Sequence, residues 1–301
     1  MRVTVTGATG RIGTRLVAAL QRRGDEVSVL SRNPHDARAA LGVEAHAWQP
    51  KSEPAPTAAL AGRDGVVHLA GEDVAQRWNK DARRRLRSSR ELGTRNLVAG
   101  LRTAEPRPGV LVSSSAVGYY GARGDEPVTE DAPPGEGFLA RVCVVWEREA
   151  TAAEDLGVRV VRVRTGILLD KDGGALAKML PFFRLGAGGS VAGGRQYMPW
   201  IHVDDLVGIY VTALDGDGWS GPVNATAPAP ATNREFSHAL GRALHRPALA
   251  PVPSLAIRAL YGEMAEIVIT GQRAVPQRAQ ALGYRFAHGE LDEALRTALA
   301  D

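Results

Sequence analysis

A chain of 301 residues with 44% apolar and 23% charged residues is long enough to bury one large core, or two unequal ones, and has the composition of an ordinary soluble globular protein. No apolar run approaches the roughly 18 residues of a membrane span and no charged-then-apolar leader precedes the first strand, so the cytoplasm is the expected compartment, with no membrane partner. The single cysteine, Cys143, excludes an intrachain disulfide and a multi-cysteine metal cluster, while the formal charge of +4 raises a nucleic-acid reading that the rest of the chain must support.

Val3-Thr4-Val5 leads into Thr6-Gly7-Ala8-Thr9-Gly10-Arg11-Ile12-Gly13, and Leu16, Val17, Ala19 and Leu20 follow with helical spacing. The stretch reads as a strand, a glycine turn and a helix start. A phosphate needs close backbone approach and free N–H donors, and glycines at a strand-to-helix junction supply both. A dinucleotide is therefore the first hypothesis, with Gly7, Thr9, Gly10, Arg11, Ile12 and Gly13 as its phosphate-side residues.

Glu26 to Leu30 reads as a second strand that ends at Ser31-Arg32-Asn33-Pro34. An acidic residue about 20 positions past the glycines suits the ribose 2′-OH of NAD, whereas a basic one suits the 2′-phosphate of NADP. Ser31 and Arg32 occupy that place, which predicts NADP(H) over NAD(H).

Val43 to Trp48 is a short third strand, and Pro50 to Pro56 a proline-rich surface connection. Gly65 to Leu69 is the next strand and runs into Ala70-Gly71-Glu72, small residues that let a dinucleotide pass. Leu69, Ala70 and Gly71 therefore join the cofactor set, and His68, inside an apolar run, reads as a core histidine.

The basic run from Arg77 to Arg95 is decided by the helical wheel. Ala82, Leu86, Gly93 and Leu97 fall within about 60° of one another, while Arg84, Arg85 and Arg87 point away, as a solvated face does. That removes most of the nucleic-acid reading. Arg90 falls inside the stripe, where a buried guanidinium needs acceptors: a cofactor phosphate or ribose edge, or a structural carboxylate.

Gly109 to Val112 repeats the strand pattern and ends at Ser113-Ser114-Ser115-Ala116-Val117-Gly118-Tyr119-Tyr120-Gly121, whose hydroxyls would face a nicotinamide. Phe138 to Leu156 reads as a long helix, and Val158 to Arg164 as a strand before Thr165-Gly166. Five or more strands with intervening helices predict an α/β fold, a doubly wound parallel sheet with helices on both faces. From Asn224 onward, proline-punctuated helices are expected to fold over the substrate cleft. Met264 to Ile269 is an apolar stretch that either joins this cover or forms a subunit contact in a homodimer.

Taken together these motifs resemble the extended short-chain dehydrogenase/reductase superfamily, and within it the atypical YfcH-like "epimerase family" group, also labelled SulA-like or giant-chloroplast-like. The resemblance covers essentially the whole chain. Beyond the motifs above it is carried by Arg77-Trp78 with Ser89-Arg90, Trp146-Glu147, Arg164-Thr165-Gly166, Pro181 to Gly186, Pro199-Trp200-Ile201-His202-Val203-Asp204-Asp205, Asn224 and Thr232-Asn233.

It implies a Rossmann core over 1–170, with a strand and helix returning at about 195–225. A smaller C-terminal substrate-side region spans 171–301, including a terminal helical segment from about 251. It also implies that Arg90, Ser113, Thr165, Gly166 and Leu168 border the cofactor, that Glu72, Trp78, Met198 and Trp200 wall the substrate, and that a small, partly apolar molecule is the partner.

Two departures stand against working relatives. The superfamily's Tyr-x-x-x-Lys pair, which passes a proton while hydride moves, falls here on Phe138 and Val142. Ser115 remains to orient a carbonyl, and Tyr120, or its neighbour Tyr119, is the candidate stand-in acid with Arg141 as the nearby cation. Where sugar-nucleotide epimerases carry a diphosphate-binding Arg, this chain has Met198. His202, Asp204 and Asp205 read as a helix start rather than a metal set. The expectation is an NADP(H)-dependent oxidoreductase or epimerase-like enzyme; the alternative is a non-catalytic NADP(H)-binding sensor or interaction protein.

Overall fold

The computed structural model describes residues 1–300. Seven parallel strands form the central sheet: β1 (Arg2–Thr6), β2 (Glu26–Ser31), β3 (Glu44–Ala47), β4 (Gly65–His68), β5 (Val110–Ala116), β6 (Arg159–Thr165) and β7 (Gly221–Ala225). Their spatial order is β7-β6-β5-β4-β1-β2-β3, with the chain reversing direction across the sheet between β1 and β4. Every neighbouring pair is parallel, in the doubly wound arrangement of a Rossmann fold.

The helices are α1 (Arg11–Arg23), α2 (Pro34–Leu41), α3 (Lys80–Thr103), α4 (Phe138–Thr151), α5 (Gly174–Arg184), α6 (Val203–Asp215), α7 (Asn233–Ala243), α8 (Ser254–Tyr261), α9 (Ala265–Ile269), α10 (Gln277–Ala281) and α11 (Leu291–Ala300). The expected helix to Leu156 stops as α-helix at Thr151 and finishes in a separate 3-10 turn, Glu154–Leu156.

β1 alternates Val with Thr yet is buried throughout after Arg2: Val3 and Val5 pack with Leu16, Val17 and Leu20 of α1 and Leu206, Ile209 and Tyr210 of α6. The other face carries α3 and α4, with Leu97, Leu101 and Ala150 against Val66, Leu111 and Val160. The long α3 starts where Asn79 accepts a hydrogen bond from the Ala82 N–H (2.8 Å), an N-cap that satisfies one orphan donor.

A second core joins α5, α7 and α11 around Phe183, Trp200, Phe236 and Leu295. It sits at the carboxyl ends of the strands, where α/β sheets hold ligands. Short ladders stitch it down: Trp200–His202 pairs in parallel with Ile167–Leu169, and Arg273–Ala274 in parallel with Pro127–Val128. Among the described residues, no helix is long and apolar enough to cross a membrane.

Candidate functional site

Two cavities open at the carboxyl ends of the strands. The first, about 460 Å³, is lined by Gly7, Thr9, Gly10, Ser31, Arg32, Leu69, Ala70 and Gly71. Gly7 has φ +67°, and a Cβ there would lie 2.7 Å from the Leu69 carbonyl carbon; a Cβ on Gly13 would lie 2.6 Å from Ala8 Cα. Only glycine lets this turn seat the start of α1 against the sheet. No side chain caps α1 and no acidic residue sits in its first turn, so its leading N–H groups and positive dipole end face an anion unopposed.

At the far end of the crevice Arg32 is exposed, and the Ser31 hydroxyl accepts a hydrogen bond from the Asn33 N–H at 3.1 Å. Trp48, Gln49, Lys51 and Ser52 complete this wall, so the loop read as a mere surface connection contributes a second cation. Ile12 packs into the core, and Arg11 pairs with Asp170 at 3.3 Å.

The second cavity, about 270 Å³, lies between the ends of β5 and β6, the start of α4 and the terminal segment. Trp78, Phe138, Leu139, Val142, Trp146 and Ile267 make it apolar, with Thr165 and Gly166 at the strand end. Trp78 and Phe138 pack edge to face, centroids 5.3 Å apart. Burial pushes the Cys143 thiol up to about 12, so it stays a protonated, unreactive member of the wall. Glu136 and Glu266 lie at the exposed rim.

Ile267 and Thr270 line this cavity, so part of the Met264 to Ile269 stretch packs over the second cavity. Sequence reasoning had only the apolarity of this stretch to go on.

Several expected site residues are turned elsewhere. Ser115 Oγ donates to Glu147 Oε1 at 2.6 Å, and that carboxylate takes Arg164 Nε (2.8 Å) and Nη2 (2.9 Å). Tyr120 is fully buried; its hydroxyl donates to Asn224 Oδ1 (2.6 Å) and accepts from Arg164 Nη1 (2.9 Å). Burial pushes the phenol up to about 12, and the ring, expected to carry the acid, lines neither cavity. Tyr119 lies with its ring 3.6 Å from the Arg164 guanidinium carbon, and Arg141 is exposed outside the cavity.

Met198 and Trp200, expected in the substrate wall, are likewise buried core residues that line neither cavity. They point into the second core, Trp200 Nε1 donating to the Ala229 carbonyl (3.1 Å), while Pro199 between them faces the cavity. Strand alternation is the reason. Ser113 is buried beside Ser114 and Leu168 packs on the main core; neither lines a cavity, and Ile167 takes the place expected of Leu168. Glu72 borders the first cavity, paired with Arg85 at 3.1 Å. Arg90, expected at the cofactor, lines the second.

His68 is a core residue: Nδ1 meets Thr6 Oγ1 (2.7 Å) and Nε2 meets Thr94 Oγ1 (3.1 Å). His202 caps α6, its Nδ1 accepting from the Asp204 N–H (3.2 Å). His288 stacks on it, centroids 3.8 Å apart, which brings ligand-type atoms of His202, Asp204 and His288 within 4.8 Å of one another. Asp205 accepts from the Ala287 and His288 N–H groups (2.8 and 2.9 Å), a tie to the terminal segment that local sequence did not reveal.

Residues 3–224 match the model of the NAD dependent epimerase/dehydratase family. The chain belongs to this family. Residues 252–298, the segment that closes the second cavity, match a domain of unknown function, DUF1731.

A chloroplastic epimerase family protein, the SDR39U1 homolog of Arabidopsis thaliana, is 40% identical over 299 residues, covering 98% of this chain and 86% of its own. An epimerase family protein of Mycobacterium tuberculosis is 41% identical over 295 residues, 97% of this chain and 96% of its own. The crystal structure of human epimerase family protein SDR39U1 with NADPH superposes with a TM-score of 0.88 at 36% identity, covering all of both chains. In this epimerase/dehydratase family member the glycine turn lines the first cavity, and Phe138 and Val142 are wall of the second.

Proposed function

We propose that this chain binds NADP(H) along the first cavity and presents it to a small, partly apolar molecule in the second, as a reductase of the atypical short-chain dehydrogenase/reductase type. The observation that carries this reading is the contiguity of the two cavities: Gly71 borders one, Arg90 lines the other, and a Cβ on Gly71 would sit 3.4 Å from the Arg90 guanidinium. NADPH, when bound, supplies hydride. A human relative that is 36% identical was crystallised with it, which supports the cofactor assignment.

The chain's own groups divide the work. The turn from Gly7 to Gly13 and the first-turn N–H groups of α1 hold the diphosphate; Ser31 and Arg32 hold the 2′-phosphate, with Lys51 across the crevice. Trp78, Phe138, Val142 and Ile267 exclude water from the acceptor. We divide the chain accordingly into a nucleotide-holding core over 1–170, completed by α6 and β7, and a substrate-side region over 171–301.

The rival reading, a cofactor-binding sensor without turnover, is favoured by one observation: the Ser115 proton is given to Glu147, so no hydroxyl of the usual set is available to a substrate oxygen. Titration and turnover separate the two. NADPH is expected to bind at least about tenfold more tightly than NADH, roughly 1.4 kcal/mol, and Arg32→Ala to remove that preference while leaving NADH binding unchanged. Equal affinities for the two cofactors in the parent protein would refute the NADP(H) assignment. NADPH consumption with a panel of carbonyl, enone and quinone substrates supports the reductase; tight binding with no consumption supports the sensor.

A further inference from the structure

Arg90 is a buried cation with no carboxylate within hydrogen-bond distance. It lies in the apolar stripe of α3 with 9% of its surface exposed, and its one protein acceptor within hydrogen-bond distance is the Leu86 carbonyl, 3.2 Å from Nη1. Its sequence neighbour Glu91 pairs with Arg87 and Arg95 instead, and of the two carboxylates that act on it through space, Glu72 and Asp73, neither hydrogen-bonds to it, Glu72 being engaged by Arg85 at 3.1 Å. A guanidinium carries five N–H donors, and one carbonyl leaves most of them unmet. Enclosing such a charge without an anion is costly, and desolvation pulls its pKa below the ordinary value.

The guanidinium stacks over the indole of Trp146, 4.8 Å from the ring centroid, and both residues line the second cavity. Arg90 does not line the crevice assigned to the dinucleotide, although Gly71 and Ser89 beside it do. Its guanidinium stands at the boundary between Gly71 and the apolar chamber, which Trp78, Phe138 and Val142 also line. Carboxylates occur in that lining as Glu136 and Glu266, both at the solvent-exposed mouth. The chamber is thus apolar in its body, cationic at its floor and acidic at its rim.

We infer that the molecule held in this chamber is a small apolar acid, its carboxylate read by the Arg90 guanidinium and its hydrocarbon or aromatic body packed among Trp78, Phe138 and Val142. The inference rests on the proposed reading of this cavity as the substrate site. A carboxylate matches the planar fork of a guanidinium and supplies acceptors to the donors that the Leu86 carbonyl leaves unmet. The competing source of acceptors is the bound cofactor itself.

The test titrates full-length protein, saturated with NADP+, with trans-cinnamate and with cinnamyl alcohol, which has the same body and no charge. Cinnamate is expected to bind at least about tenfold more tightly. Arg90→Met should erase that preference and change NADPH affinity by less than about threefold, and Arg90→Lys should restore part of it.

The proposal is overturned if cinnamate binds no better than the alcohol, or if Arg90→Met weakens NADPH about tenfold and leaves the preference intact, since Arg90 is then a cofactor ligand. Should Arg90→Met fail to fold, Arg90→Lys decides: its cinnamate affinity must fall by at least about threefold while its NADPH affinity holds. Failure of the underlying reading is distinguishable, because there NADPH itself does not bind the parent protein.

Discussion

The carboxylate of Glu147 collects three donors at once, from Ser115 and from two nitrogens of Arg164, with Arg162 Nη1 3.6 Å away. Side-chain exposures of 4% for Glu147 and 3% for Arg164 take the pair out of water, so its worth depends on every lone pair being used. Glu147→Ala leaves a buried guanidinium with no counter-charge. We expect it to cost about 3–5 kcal/mol in denaturant unfolding, with Glu147→Gln costing less because it keeps an acceptor. Ser115→Ala should then lower stability more than any turnover. None of this is legible locally: Glu147 and Ser115 are 32 residues apart, and the alternating Val and Arg of β6 state only that some arginines face inward. Arg90 is the counter-example, since a helical wheel alone places it in the buried stripe.

At the level of elements, the junction of β1 and α1 was readable because backbone sterics demand glycine there and leave a trace in the sequence. Gly13→Ala would put a methyl 2.6 Å from Ala8 Cα, a backbone atom that cannot yield without moving the turn. It is expected to weaken NADPH binding by at least about tenfold, read by fluorescence titration, whereas Thr14→Ala, at an exposed position one residue on, should leave binding within about twofold. The parallel strands were equally legible, as short apolar runs flanked by small residues. The two- and three-residue ladders of the second half were not. Trp200–His202 is too short to display alternation, and reading its Trp200 as substrate wall reversed the face it presents.

Across the whole molecule, stability should decline toward acid in a way that His68 helps to set. Burial holds its imidazole neutral, with a pKa of about 4 against an ordinary 6.5. The unfolded chain takes up this proton below about pH 6.5 and the folded one refuses it until about pH 4, so the contribution is complete above that window. It is lost as pH falls through it, by at most about 1.4 kcal/mol per pH unit for one proton. Unfolding free energies measured at pH 7, 6 and 5 should show this slope, and His68→Asn should flatten it while lowering stability at pH 7. The same scale governs the roof of the second cavity. Arg273–Ala274 pairs with Pro127–Val128, Gln272 Nε2 donates to the Val117 carbonyl (2.9 Å) and Asn224 Nδ2 to the Val275 carbonyl (2.9 Å), so the segment after Met264 is clamped to elements laid down far earlier. Translation therefore finishes the seven-stranded sheet, at Ala225, well before the chamber has a ceiling. The residues that turn this groove into an enclosed room, Glu266 to Gln272, thus follow the last strand of the sheet in the chain, and the wall of Trp78, Phe138 and Val142 is open without them.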